Sequence, residues 1–187
     1  LLVFFMHLTL FLGNPLFPIY LVKQLQFSDQ EIALGNSLFY LTLFLGSTQL
    51  GLISGRIGHR RTLAGGMMLT CLYPALIAIT QGLMLFLLAS ILGGLAWTLA
   101  GGALANYILE ETPPNQQPLY LAWYNIALQS GVLMGALSAP IFANWLGIVP
   151  ALMVAAVGRL LSGLTLWQLS SKAVPNPALT AQPPGNI

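Results

Sequence analysis

Charge is what this sequence has least of. Four acidic and six basic residues are spread over 187 positions, 5% of the chain, where a soluble domain commits roughly a quarter of its residues to charge. So little charge cannot cover a water-facing surface. With 57% hydrophobic residues and a mean hydropathy of +0.81, the composition is that of a membrane protein. A net charge of +2, and the lack of any basic patch interleaved with aromatics, exclude a nucleic-acid binder. The single cysteine, Cys71, excludes a disulfide framework and reads as a small packing residue in an apolar run. No phosphate-binding glycine loop is present, which argues against an ATP-driven pump. There is no HExxH, no pair of intramembrane aspartates, and only His7 within an apolar run to activate a nucleophile. The sequence therefore gives no reason to expect an enzyme, a cofactor or a metal site.

What is present is a series of apolar runs. A helix crossing the hydrocarbon core needs about 20 mostly apolar residues, because its backbone polar groups must be satisfied within the segment. On that basis spans fall near Leu1–Val22, Glu31–Ser54, Thr62–Ile79, Leu83–Leu109, Leu119–Ala143 and Ile148–Leu169. Residues 62–109 carry no charge but are too long for one crossing, and Thr80, Gln81 and Gly82 supply a tight hairpin between two helices. A second short turn is expected at Asn144–Gly147. Ser28 lies three residues before Glu31, the spacing of a capping box, so the second helix starts near Ser28. The stretch "EETPPNQQP" holds three prolines and ends the fourth span. Residues 171–187, rich in proline and small polar residues, are expected to form a disordered tail.

Basic residues orient the spans. With six crossings, the 55–61 loop, the 110–118 loop and the tail share one side, which carries Arg56, Arg60, Arg61 and Lys172; the other side has Lys23. The positive-inside tendency then places the richer side, and both ends of the segment, in the cytoplasm. The expected location is an integral, multi-pass position in the cell membrane.

The loop itself reads "GLISGRIGHRRTL", and it resembles the signature loop of the major facilitator superfamily between the second and third helices of each six-helix half. Gly51, Ser54, Arg56, Gly58, Arg60 and Leu63 match in register, whereas Gly55 stands where the family usually has Asp and His59 where it usually has a basic residue. "NPLFPIYL" followed by "FSDQEIALG" is similar to the first helix and first external loop of many such halves. The resemblance covers nearly the whole chain up to the tail. It implies an all-α membrane protein with six transmembrane helices forming one bundle, more like the C-terminal half than the N-terminal one. Two such bundles enclose a substrate site near the bilayer midplane. The partners implied are membrane lipid, the other six-helix half and a small-molecule substrate that the sequence does not identify. In the resembled family the missing Asp and the following Arg join an acid at the end of the fourth helix. Here that implies a reduced latch from Arg56 to Glu110, with Glu111 beside it, Gly51 permitting close helix approach, and Arg60 and Arg61 facing lipid headgroups.

Within the spans, small residues recur at four-residue intervals. Ala127, Gly131, Gly135, Ala139 and Ala143 put one small face on the fifth span, expected to pack closely on a neighbour and to need the partner bundle. Ser90, Gly94, Thr98, Gly102 and Asn106 form a similar ladder on the fourth, open to packing or to a role in the pathway. Polar and amphipathic residues deep in spans normally face the bundle interior or a water-filled cavity. The candidates are Asn14 and Tyr20 in the first, Asn36, Tyr40 and Gln49 in the second, Trp97 and Asn106 in the fourth, and Trp123, Asn125 and Gln129 in the fifth. In the superfamily these are the cavity-lining helices, and the third and sixth generally are not. Arg159 stands twelve residues into the sixth span with no acid at its depth. A substrate-anion role and a structural bond to backbone carbonyls both remain open for it. No Asp or Glu lies inside any span, so proton exchange on a carboxylate would have to reside elsewhere. The function implied is transport of a small solute by alternating access, this chain being one half of the transporter. The alternatives are a half-sized subunit or scaffold acting as a homodimer, and a six-helix intramembrane enzyme.

Overall fold

A computed structural model describes residues 1–172. The chain is an all-α bundle: α1 (Leu2–Gly13), α2 (Leu16–Lys23), α3 (Asp29–Ile57), α4 (His59–Leu69), α5 (Leu72–Ile79), α6 (Leu83–Glu111), a 3₁₀ turn at Pro114–Gln116, α7 (Gln117–Leu146) and α8 (Ile148–Lys172). By length and composition six stretches can cross a membrane: Leu2–Lys23, Asp29–Ile57, His59–Ile79, Leu83–Glu110, Pro114–Leu146 and Ile148–Leu169. The expected tail begins inside α8, and its remainder, residues 173–187, lies outside the described residues.

The helix ends follow local chemistry. Ser28 and Glu31 form the capping box: the Glu31 amide donates to Ser28 Oγ at 3.3 Å and the Ser28 amide to Glu31 Oε2 at 2.8 Å. Two expected loops shrink to one residue each. The helices α3 and α4 are separated by Gly58 alone (φ +85°), and α7 and α8 by Gly147 alone (φ +90°). Both glycines adopt a left-handed backbone that side-chain-bearing residues rarely tolerate. Apolar content marks where the hydrocarbon lies, but a helix continues past it until a residue such as these reverses the chain. The loop expected at 55–61 is therefore the end of one helix and the start of the next.

Two spans are broken at mid-depth. Pro15 and Pro18 have no N–H for the carbonyls of Phe11 and Asn14, and the first span parts into α1 and α2 at Asn14–Pro15. Pro74 likewise has none for Thr70, and the third span parts into α4 and α5 at Thr70–Cys71.

Glycines set the packing. The helix α7 lies along α1, where an added Cβ would stand 2.5 Å from the Phe4 carbonyl at Gly131 and 2.5 Å from the Leu8 carbonyl at Gly135. The small-residue face of the fifth span is thus filled by a helix of the same chain, not by a partner bundle: four-residue spacing reveals a close-packed face but not its occupant. The ladder on α6 receives α3, with Gly94 against Thr42 and the Phe39 carbonyl, and Thr98 Oγ1 donating to the Leu43 carbonyl at 3.3 Å. The helix α8 seats Gly158 against Thr9 of α1 and Gly163 against Met68 of α4. Two apolar clusters result, one around Leu16, Ile77, Phe86 and Leu152, the other around Leu63, Met67, Ala100 and Leu166. The α4–α5 break lies between them, and the α1–α2 break lies within the first, which holds both Leu12 and Leu16.

Candidate functional site

Between the two apolar clusters is a cavity of about 300 Å³. It is reached by α1 and α2 (Phe11, Asn14, Phe17), α3 (Asn36, Phe39, Tyr40), the α4–α5 break (Thr70, Tyr73), α6 (Gly93, Trp97) and α8 (Arg159). Four of the residues singled out in the sequence, Asn14, Asn36, Tyr40 and Trp97, come together here from three different spans. The third and sixth spans also contribute, through Thr70, Tyr73 and Arg159, against the family expectation that they stand aside. Tyr73 carries a sequence signal of its own: it precedes Pro74, and a proline inside an apolar run marks a break in the helix.

Arg159 dominates the site. It is the twelfth residue of the Ile148–Leu169 span and 3% exposed. Its Nη1 donates to the Thr70 carbonyl at 3.2 Å, the carbonyl that Pro74 deprives of a helical partner. Its Nη2 donates to the Leu10 carbonyl at 2.7 Å and to Asn14 Oδ1 at 3.4 Å. The guanidinium also lies 5.8 Å from the centre of the Phe17 ring, within cation–π range. One side chain of the sixth span thus ties the breaks of the first and third together.

The remaining candidates lie elsewhere. Tyr20 is buried, and its hydroxyl donates to the carbonyls of Thr80 at 3.3 Å and Ala78 at 3.4 Å, joining α2 to the end of α5. Gln49, Asn106, Trp123, Asn125 and Gln129 are exposed on α3, α6 and α7. Asn125 Nδ2 donates within its own helix to the Leu121 carbonyl at 2.9 Å, and Gln49 Nε2 reaches the neighbouring Thr48 hydroxyl at 3.4 Å.

At the end of the bundle marked by the basic residues, the expected Arg56–Glu110 contact is replaced by another. Among the described residues, Glu110 pairs with His59, Nε2 to Oε1 at 3.3 Å, an ion pair when the imidazole is protonated. Gly58 reverses the chain so that α4 starts beside the end of α6 and its first residue meets the carboxylate, while Arg56 stays exposed on the last turn of α3. Arg60 also departs from expectation: it is half-buried and sits 6.0 Å from the Tyr107 ring centre, whereas Arg61 is exposed. Gly51 provides no close approach, since a Cβ there would meet nothing within 4 Å. Ser54 is buried and donates to its own helix at the Leu50 carbonyl, 2.7 Å away.

Among the described residues no group of three or more His, Cys, Asp or Glu side chains is placed to hold a metal ion. Among the described residues, six membrane-length spans packed around a polar and aromatic cavity define a polytopic membrane protein. Residues 1–185 match the sequence pattern of the Major Facilitator Superfamily. The chain belongs to that family of membrane transporters. A search of curated proteins finds no match.

Proposed function

We propose that this bundle is one half of a secondary transporter, more like the C-terminal half, and that it carries a small solute by alternating access through the cavity at Asn14, Asn36, Tyr40 and Trp97. The observation that carries the reading is the convergence of these polar and amphipathic side chains at mid-depth, where lipid would leave them unsatisfied. The second half would close the cavity. The exposed polar residues of α3 and α7, Gln49, Asn125 and Gln129 among them, fit helices that face another bundle across a path. The basic end, with Arg56 and Arg61, faces the cytoplasm in this reading.

Accessibility tests both parts. In a Cys71→Ser background of the intact protein, a cysteine at Asn36 should react with an impermeant thiol reagent from either side of the membrane. Labelling confined to one side under every condition would rule out alternating access. Cysteines at Gly55 and Gln24 report the orientation: on intact cells Gln24→Cys should label and Gly55→Cys should not, and the reverse pattern would invert the topology.

A further inference from the structure

We infer that the solute recognised in this cavity is a small organic anion and that Arg159 is the group that binds its charge, an inference that rests on the transporter reading above. A guanidinium stays protonated in proteins, so Arg159 brings a full positive charge to the middle of the bundle. Its partners, the Thr70 and Leu10 carbonyls and Asn14 Oδ1, are all neutral. Its Nε is buried and makes no hydrogen bond. The four acids of the chain are Asp29, Glu31, Glu110 and Glu111, at the start of α3 and the end of α6, and among the described residues none pairs with it. A buried cation without a counter-charge is a costly arrangement, and here it borders a cavity rather than a sealed core.

The rest of the lining suits an anion with an apolar body. The amide nitrogens of Asn14 and Asn36, the hydroxyl of Tyr40 and the indole N–H of Trp97 can donate to an anion, and no carboxylate lines the cavity. Hydrogen bonds from charged donors to an anion are about twice as strong as neutral ones. An anionic solute would supply the missing counter-charge, while a cation would meet repulsion. The aromatic rings of Phe11, Phe17 and Phe39 offer the apolar body its contacts.

Trp97 provides a reporter inside the cavity, and its signal is the difference between the intact protein and its Trp97→Phe variant in phosphatidylcholine nanodiscs. Iodide, an anionic quencher, should quench this signal saturably, whereas caesium, a cationic one, should be excluded. Arg159→Lys should keep the saturable component, and Arg159→Gln should weaken its half-saturation about tenfold, the loss of one charge-assisted contact. Neutral acrylamide should quench the unaltered protein and both Arg159 variants alike. Caesium quenching Trp97 as well as iodide does would overturn the proposal without recourse to any Arg159 variant, as would unchanged iodide saturation in Arg159→Gln. The outcome is separable from the transporter reading. A protein that alternates in the cysteine assay but shows no iodide site keeps that reading and loses this one. A protein that binds iodide without alternating does the opposite.

Discussion

The helix α3 and the α4–α5 span adjoin each other in the chain and are built differently. Within the most apolar stretch of each, 6% of α3 is buried and 50% of α4–α5. The α4–α5 span is enclosed by α6 and α8, with Gly66 against the α6 backbone and Met68 against Gly163 of α8. One face of α3 rests on α6; another presents Phe44, Leu52 and Gln49 outward, while Tyr40 is exposed at the cavity. The helix α7 repeats the pattern, with 17% buried, its glycines on α1 and its Trp123, Asn125 and Gln129 outside. The difference separates two jobs. The α4–α5 span is where the bundle holds itself together, whereas α3 and α7 each keep polar residues on an open face.

The contrast is broken most severely by filling a glycine on the closed side. Gly135→Val pushes side-chain atoms into the α1 backbone and should cost about 1–3 kcal/mol, as overpacking does, seen as a lower unfolding temperature in detergent. Gly51→Val, on the open side with nothing within 4 Å, should leave that temperature unchanged; equal losses at the two sites would erase the distinction. A smaller effect is expected from two tyrosines. Tyr20→Phe removes a buried hydroxyl that joins α2 to α5 and should cost about 0.5–1.5 kcal/mol, while Tyr40→Phe, at a side chain 67% exposed, should cost nothing measurable in the same assay. The smallest concerns the basic end. A double-mutant cycle of His59→Ala with Glu110→Ala should show a coupling of about 0.2–1 kcal/mol, the range for exposed pairs, and the cycle of Arg56→Ala with Glu110→Ala should be additive. Coupling in the second cycle only would restore the Arg56 latch.

Much of the frame was legible in the residues. Apolar runs located the six crossings, the Ser28–Glu31 spacing located the start of α3, and four-residue spacing of small side chains located the faces of α6 and α7 that pack closely. These signals are local, or periodic along one helix. What could not be read depends on rotation between helices. The spacing of Gly131 and Gly135 says that a backbone approaches, but only assembly shows that it is that of α1. Glu110 meets His59 because the backbone at Gly58 sets the azimuth of α4. The cavity gathers Asn14, Asn36, Tyr40 and Trp97 and leaves Gln129 outside, although all five looked equivalent as polar groups in apolar runs. Arg159 could be located in depth from the sequence, but not in direction.

The two proline breaks and the side chain between them have a mechanical consequence. A helix bends where its ladder of hydrogen bonds is interrupted. The first and third spans are interrupted near the same depth, Asn14 being thirteenth of the 22 residues Leu2–Lys23 and Thr70 twelfth of the 21 residues Leu72's span comprises from His59 to Ile79. The compliance of these two spans is therefore placed in one layer, like a score line across a plate. Arg159, bonded to both interrupted spans, couples their flexure, so tilting one half-helix loads the other. A force applied at the basic end would bend these two spans at the level of the cavity.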